Sequence, residues 1–403
     1  MVTVNPDIFK LYDVRGVYGR DFDVNFAEEF GNKIARALKA TTMVIGRDSR
    51  TSSSLLEKAI LQGLLYAGVE VYEVGICTTP VFYYAVQAKN ADGGIMITAS
   101  HNPEEYNGFK VVGPKASIIG GEQLREIFLK TELNLSGSGN VQNYDGVGKY
   151  ADAVAKMGGG ASRTFTVGLT ASPASEKILN RIGEKTGLLI QKRNPDGLNV
   201  ELDDDADRIT FFDRQHKIEA DFITLLIAEY LGLKRIVHDF RFSKSVREQF
   251  KKLGIVAIPS KVGRLHIYEN MKNYEGEFGA ELSGHYYLKE FNCLESPEMV
   301  LLWIRNIIQK TGKNLQELIK PFDKYFRTSE LSMPYSSGAF DRIEQKYSDA
   351  KISKDDGILV EYDDWWLSLR KSNTEPMMRL IIEAKNVGLL ERKLDEINET
   401  LRR

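Results

Sequence analysis

A chain of 403 residues, 42% hydrophobic and 27% charged, has the balance of a folded globular protein and enough length for two to four separate cores. Its formal net charge of -2 argues against nucleic acid or an acidic membrane as the main partner, while leaving room for basic pockets around a small phosphorylated ligand. Two cysteines, Cys77 and Cys293, make neither a disulfide framework nor a thiolate metal site; no uncharged apolar run reaches membrane-spanning length and residues 1–7 hold no apolar signal core, so a cytoplasmic chain is expected.

Residues 1–130 alternate strand and helix signals. A strand at 42–46 precedes helical spacing over 52–66, carried by Leu55, Leu56, Ala59, Ile60 and Leu64. A period-two strand at 69–74, a helix at 80–88 and an apolar strand at 94–97 follow, and Asn107-Gly108 reads as a turn into another short strand. Glycine clusters at 136–139 and 158–160 flank a helix at 147–157 and mark a linker into a small second domain. That domain has strands at 166–170 and 199–202 and a helix at 174–182, and an apolar helix at 221–231 closes it. A third α/β unit carries strands at 235–239 and 255–258, with helices at 244–253, near 265–271 and at 297–310. Beyond 326, strands at 357–362, 365–369 and 377–383 succeed each other through short turns, and a last helix puts Leu390, Leu394, Ile397 and Leu401 on one face. The expected architecture is three similar mixed α/β domains, 1–143, 144–232 and 233–325, plus a fourth, 326–403, of antiparallel sheet backed by helices.

The strand at 94–97 runs into Thr98-Ala99-Ser100-His101-Asn102-Pro103. Such a turn places a hydroxyl at the carboxyl edge of a sheet, where open α/β sheets bind ligands, and Pro103 keeps Asn102 out of helix. An ordinary polar turn explains this segment alone equally well; a Ser-His-Asp triad does not, because adjacent Ser100 and His101 should point apart. In Asp203-Asp204-Asp205-Ala206-Asp207-Arg208 an extended backbone aligns Asp203, Asp205 and Asp207 on one side, an all-oxygen set suited to Mg2+, Mn2+ or Ca2+. An EF-hand is excluded, since Arg208 and Arg214 stand where that loop needs Gly and Glu. A solvated acidic turn would leave mutually repelling carboxylates between two apolar strands. Alternation sets Glu281, Ser283 and His285 on one side of an extended segment, groups that suit sugar hydroxyls and proton exchange. Arg370-Lys371-Ser372-Asn373-Thr374-Glu375-Pro376, with Arg379 beyond, reads either as a polar hairpin loop or as a phosphate clasp. No Walker or dinucleotide glycine pattern is present.

In this order, and with Tyr12-Asp13-Val14-Arg15-Gly16 near the start, these segments resemble the α-D-phosphohexomutase superfamily, the phosphomannomutase/phosphoglucomutase group, along nearly the whole chain. The resemblance implies the four domains above arranged around a central cleft, with a hinged fourth domain. It implies an isomerase of carbohydrate metabolism, a phosphoprotein whose Ser100 carries a phosphoryl group beside Mg2+, with Ser100, Asp203, Asp205 and Asp207 as ligands. Arg15, Lys110 and Arg208 would line the reacting end. Tyr12, His101, Arg264, Glu281 and Ser283 would bind the sugar phosphate, and Arg370, Ser372, Asn373, Thr374 and Arg379 its non-reacting phosphate. Acid and base roles fall to Lys110 or His285. The phosphoserine would donate to a hexose 1- or 6-phosphate, and the bound hexose 1,6-bisphosphate would turn over and return its other phosphate. A monomer or homodimer is expected, with no nucleic acid or membrane partner.

Several positions depart from the family's pattern. The second domain is short, and 169–173 replaces a glycine-rich turn. Asp204 and Ala280 stand where Gly is usual, Arg241 and Arg264 where close relatives often have Lys and His, and Glu295-Ser296-Pro297 where an acidic-Gly turn is usual. Leu282 stands where phosphoglucosamine mutases usually carry Gln, which favours glucose and mannose phosphates. A phosphoglucosamine mutase and a phosphoserine-dependent sugar phosphatase are the rival readings.

Overall fold

The alternating signals at the start of the chain build a six-stranded sheet of β1 (Val14–Val17), β2 (Thr42–Arg47), β3 (Glu70–Ile76), β4 (Gly93–Ile97), β5 (Tyr106–Val112) and β6 (Asn140–Asn143). The computed structural model describes residues 5–159, 164–372 and 377–402. The sheet order is β1-β5-β4-β2-β3-β6; β4, β2, β3 and β6 run parallel, and β5 and β1 close one edge antiparallel. Its helices are α1 (Val24–Ala37), α2 (Ser53–Tyr66), α3 (Thr79–Ala88) and α4 (Gly121–Lys130). Asp23 caps α1 by accepting from the N–H groups of Asn25 and Phe26. Phe26, Phe30 and Ile34, four apart on α1, then enter a core shared with Phe22 and Phe109.

The Asn107-Gly108 pair is not a turn. Both residues lie inside β5, where Asn107 Nδ2 donates to the hydroxyls of Ser52 and Ser53 at 2.8 and 2.9 Å. A Cβ on Gly108 would stand 2.0 Å from the Val14 carbonyl oxygen, so the glycine marks the close approach of β1 rather than a chain reversal.

A second sheet holds β7 (Phe165–Thr170), β8 (Leu188–Gln191), β9 (Leu198–Leu202), β10 (Ile209–Asp213) and β11 (His216–Ile218), in the order β11-β10-β9-β7-β8. Helices α5 (Gly146–Gly158) and α6 (Pro173–Thr186) accompany it. The sequence reading lacks β8 and β11, edge strands of four and three residues, too short to show a period.

Contacts divide the chain into two units, Met1–Ile218 with His285–Asn314, and Glu219–Gly284 with Leu315–Arg403. Helix α7 (Ala220–Leu231), expected to close the second domain, lies in the second unit. Its Asp221 accepts from the Ser243 N–H at 2.8 Å and from Arg327 Nη1 at 2.6 Å. There β12 (Arg235–Asp239) lies parallel to both β13 (Val256–Ser260) and β14 (Phe278–Ala280), with α8 (Lys244–Lys252) and α9 (Arg264–Asn273). The hairpin of β15 (Tyr286–Leu288) and β16 (Leu294–Glu295), followed by α10 (Pro297–Thr311), belongs to the first unit.

After α11 (Leu315–Ile319), the second unit ends in an antiparallel sheet: β17 (Phe326–Arg327), β18 (Leu331–Pro334), β19 (Lys351–Ser353), β20 (Ile358–Glu361), β21 (Trp365–Lys371) and β22 (Met377–Ala384). Helices α12 (Ala339–Lys346) and α13 (Val387–Arg402) back it, with Ile397 and Leu401 packed on Trp365, Leu367 and Ile382. Among the described residues no helix is long and apolar enough to cross a membrane.

Candidate active site

In the first unit, β4 ends in the Ser100 turn as the sequence requires. Ser100 is buried and sits at φ +51, a conformation that non-glycine residues seldom adopt away from functional turns. Its N–H donates to Thr98 Oγ1 at 2.9 Å. Ser100 Oγ lies 3.3 Å from His101 Nδ1, so the neighbours do not point apart as alternation predicted; the left-handed backbone turns the two side chains toward each other. Burial, followed by the charges of Arg208 and Arg15, pulls the His101 imidazole down to about 4, which keeps it neutral at pH 7. Arg15, on β1, donates to Asn102 Oδ1 at 2.7 Å and pairs with Asp13. Tyr12 stands in the turn before β1, half buried.

The acidic loop 203–208 joins antiparallel β9 and β10. It is a tight turn rather than the extended segment expected: Ala206 takes φ +52 and its N–H donates to the Asp203 carbonyl at 3.0 Å. The turn nevertheless brings ligand oxygens of Asp203, Asp205 and Asp207 within 4.8 Å of one another. Lys110, on β5, reaches in and pairs with Asp205 at 2.5 Å and Asp207 at 2.6 Å. Thr79, at the start of α3, donates its hydroxyl to Asp205 Oδ2 at 2.5 Å and its N–H to the Asp205 carbonyl at 2.9 Å.

Burial, then the charges of Asp207 and Asp205, hold the Asp203 carboxyl well above its usual range. The same burial and Asp207 push Asp205 up, but Lys110 and the Thr79 hydroxyl outweigh them and leave it below the ordinary value. Asp203 Oδ2 and Asp205 Oδ1 are buried without a hydrogen-bond partner. One ammonium does not neutralise three clustered carboxylates, two of them buried, and unpartnered oxygens of this kind fit a divalent, oxygen-preferring cation. His285 completes this cluster. Arg208 Nε donates to its Nε2 at 2.9 Å, which places the imidazole proton on Nδ1, 3.1 Å from the Asp207 carbonyl. Glu295 Oε1 lies 3.5 Å from that Nδ1.

In the second unit the sugar segment is also a turn. The Gly284 N–H donates to the Glu281 carbonyl at 3.0 Å and Gly284 sits at φ +90, so the period-two alternation expected of Glu281, Ser283 and His285 fails. Glu281 is buried and accepts from the Gly263 N–H at 2.9 Å, beside Arg264 at the start of α9. Arg241 forks onto Asp239 and reaches Glu330 at 3.0 Å, and Arg370 Nη2 meets the same Glu330 oxygen at 3.2 Å. Arg370 and Arg379 are direct cross-strand partners on β21 and β22, two cations on one face of the sheet. The Ser372 N–H donates to the Met377 carbonyl at 2.8 Å, while Asn373 and Thr374 lie outside the described residues.

Sequence reasoning passed over Arg50, Thr79 and Glu330, and named Glu295 only as a departure from the family's pattern. Only Arg50 left a signal, the polar Asp48-Ser49-Arg50 run ending the strand next to β4.

Two domain descriptions match the chain: "Phosphoglucomutase/phosphomannomutase, alpha/beta/alpha domain I" over residues 6–135 and the corresponding domain III over residues 219–325. A phosphomannomutase of Methanocaldococcus jannaschii is 31% identical over 98% of this chain and 97% of its own length. One from Escherichia coli is 29% identical over 95% and 96%. The solved structure of a phosphoglucomutase/phosphomannomutase family protein from Burkholderia thailandensis superposes with a TM-score of 0.88 at 23% identity, covering 99% of this chain and 98% of that one. The class is therefore that of isomerases that work by phosphoryl transfer. More particularly, the chain belongs to the phosphoglucomutase/phosphomannomutase family of the α-D-phosphohexomutase superfamily.

Proposed function

We propose that the enzyme interconverts hexose 1-phosphate and hexose 6-phosphate, acting on mannose and glucose phosphates, through a phosphoryl group carried on Ser100 and a bound hexose 1,6-bisphosphate. The observation that supports the reading is the convergence on one residue of the buried Ser100 turn and the loop that holds the carboxylate trio: a single nitrogen of Arg50 lies 2.5 Å from the Ser100 carbonyl and 3.2 Å from Oδ2 of Asp204, which stands in that loop between Asp203 and Asp205. The names of the M. jannaschii and E. coli relatives support a mannose phosphate.

Asp203, Asp205 and Asp207 would hold Mg2+, with the phosphoserine oxygen as a further ligand, and the ion would withdraw charge from the moving phosphoryl group. Arg15, Lys110 and Arg208 neutralise the remainder, since such transfer depends on positioning and electrostatics. His101, neutral at working pH, contacts the serine without adding charge. Tyr12, Arg264, Glu281 and Ser283 bind the sugar phosphate; Arg370, Arg379, Ser372, Asn373 and Thr374 take the phosphate that is not reacting. Arg370 and Arg379 repel each other across the strands, and a bound dianion relieves that repulsion.

A coupled assay on mannose 1-phosphate, glucose 1-phosphate and glucosamine 1-phosphate with Mg2+ tests the reading. Isomer formation from the first two that Ser100→Ala abolishes is expected. Phosphate release without isomer would instead make the protein a phosphatase, and preferred turnover of the amino sugar would move the assignment to a phosphoglucosamine mutase.

A further inference from the structure

We infer that Arg50 is a positioning residue for the phosphoryl-carrying serine, fixing the backbone of the serine loop and tying it to the metal loop through Asp204. The inference rests on the phosphoserine reading above.

Arg50 stands in the 48–53 turn between β2 and α2, buried, with Nε on Asp48 Oδ2 at 3.2 Å. Its terminal nitrogens meet the carbonyl oxygens of Ser100, Asn102 and Pro103 at 2.5, 2.7 and 2.7 Å. The Pro103 carbonyl also accepts from the Tyr106 N–H at 2.9 Å, so the guanidinium matters most to the Ser100 and Asn102 carbonyls, in a turn that leaves the β ladder. A flat guanidinium serves them together, whereas a lysine ammonium would serve only some of them. The same turn is joined twice more to the residues that follow the serine loop. The N–H and hydroxyl of Thr51 donate to Glu104 at 3.0 and 3.1 Å, and Asn107 holds the Ser52 and Ser53 hydroxyls.

Arg50 touches no reacting atom. What it sets is the direction of Ser100, whose unusual φ depends on where its carbonyl is held. Asp204, the residue standing where the family usually has glycine, adds a second grip: its carboxylate accepts from the nitrogen that binds Ser100. Its side chain is 65% exposed, so this tie is weaker than the buried pair with Asp48.

The test compares Arg50→Lys, Asp204→Asn and the double variant with the wild type, reading kcat and KM on glucose 1-phosphate with Mg2+, circular dichroism, and phosphate on Ser100 by peptide mass. Arg50→Lys should stay folded and keep KM within about two-fold while kcat falls on the order of 10- to 100-fold, the cost of a misplaced reacting group. Asp204→Asn should lower kcat about two- to five-fold and add nothing in the double variant. Unchanged kcat in Arg50→Lys, a KM that rises in step with the lost kcat, or an additive double variant overturns the inference. Should Arg50→Lys fail to fold, the exposed Asp204→Asn decides, and unchanged kcat there overturns it. An active wild type that never carries phosphate on Ser100 defeats the phosphoserine reading itself; a phosphorylated wild type with indifferent variants defeats only this inference.

Discussion

Lys110 contacts two of the three clustered carboxylates of the first unit through its ammonium. Replacing it by Met removes the only lysine among the described residues that pairs with Asp205 and Asp207. Steady-state kinetics of Lys110→Met should show kcat lowered on the order of 100- to 1,000-fold, with a smaller change in KM, as expected when a charge-stabilising donor is lost. His101 gives a second residue-level expectation. Burial and the nearby arginines disfavour its charged form, so its imidazole resonances should not titrate between pH 5.5 and 8 by NMR, about a unit or more above its value near 4. A midpoint near 6.5 would show that it is solvated and does not face Arg208 and Arg15.

At the scale of elements, helix α10 carries a buried acid apart from the residue clusters described above. Glu298 accepts from the Tyr150 hydroxyl at 2.6 Å, and burial pushes its carboxyl from 4.5 to about 7. The native state therefore binds a proton that the unfolded chain has already lost, so this group's contribution falls as pH rises from about 4.5 to 7. The loss is on the order of 3 kcal/mol across that window. Denaturant midpoints at pH 5 and pH 7 should differ less in Glu298→Gln than in the wild type. The contact of α1 with α2 supplies a packing test. A Cβ on Gly63 would meet the Glu28 carbonyl oxygen at 2.0 Å, so Gly63→Ala should cost about 1–3 kcal/mol of stability by urea unfolding.

Elements with strong periods were legible for the same reason that they are stable. The α13 face of Leu390, Leu394, Ile397 and Leu401 and the buried run of β4 declare themselves because each side chain packs on its own sheet. Asn107-Gly108 misled because glycine signals a reversal and a close strand approach with the same letter. The acidic and sugar loops misled in a different way. Period-two alternation describes a strand, whereas Ala206 and Gly284 bend both segments with positive φ.

For the molecule as a whole, the chemistry-bearing motifs were visible because each is contiguous, while their supports were not. Arg50 reaches carbonyls about fifty positions away and a carboxylate 154 positions away, and Glu330 meets Arg370 forty positions on. No local pattern carries such pairings. At this scale a need for a metal is the expectation that charge supports: three carboxylates stand against one lysine ammonium and the more distant Arg208. Chelation with EDTA should abolish isomer formation and Mg2+ should restore it, while the far-ultraviolet circular dichroism stays unchanged. Loss of folded signal on chelation would make the ion structural instead.

Storage of the phosphoryl group on Ser100 is the central claim, and one measurement addresses it directly. Dephosphorylated enzyme is incubated with glucose 1,6-bisphosphate and Mg2+, the Ser100 peptide is weighed, and glucose 1-phosphate is then added. The account predicts that Ser100 gains one phosphoryl group and stays phosphorylated while glucose 6-phosphate appears, because each group given to the sugar's C6 is replaced by the one taken from its C1. Phosphate on another residue, or undiminished turnover in Ser100→Ala, would contradict it.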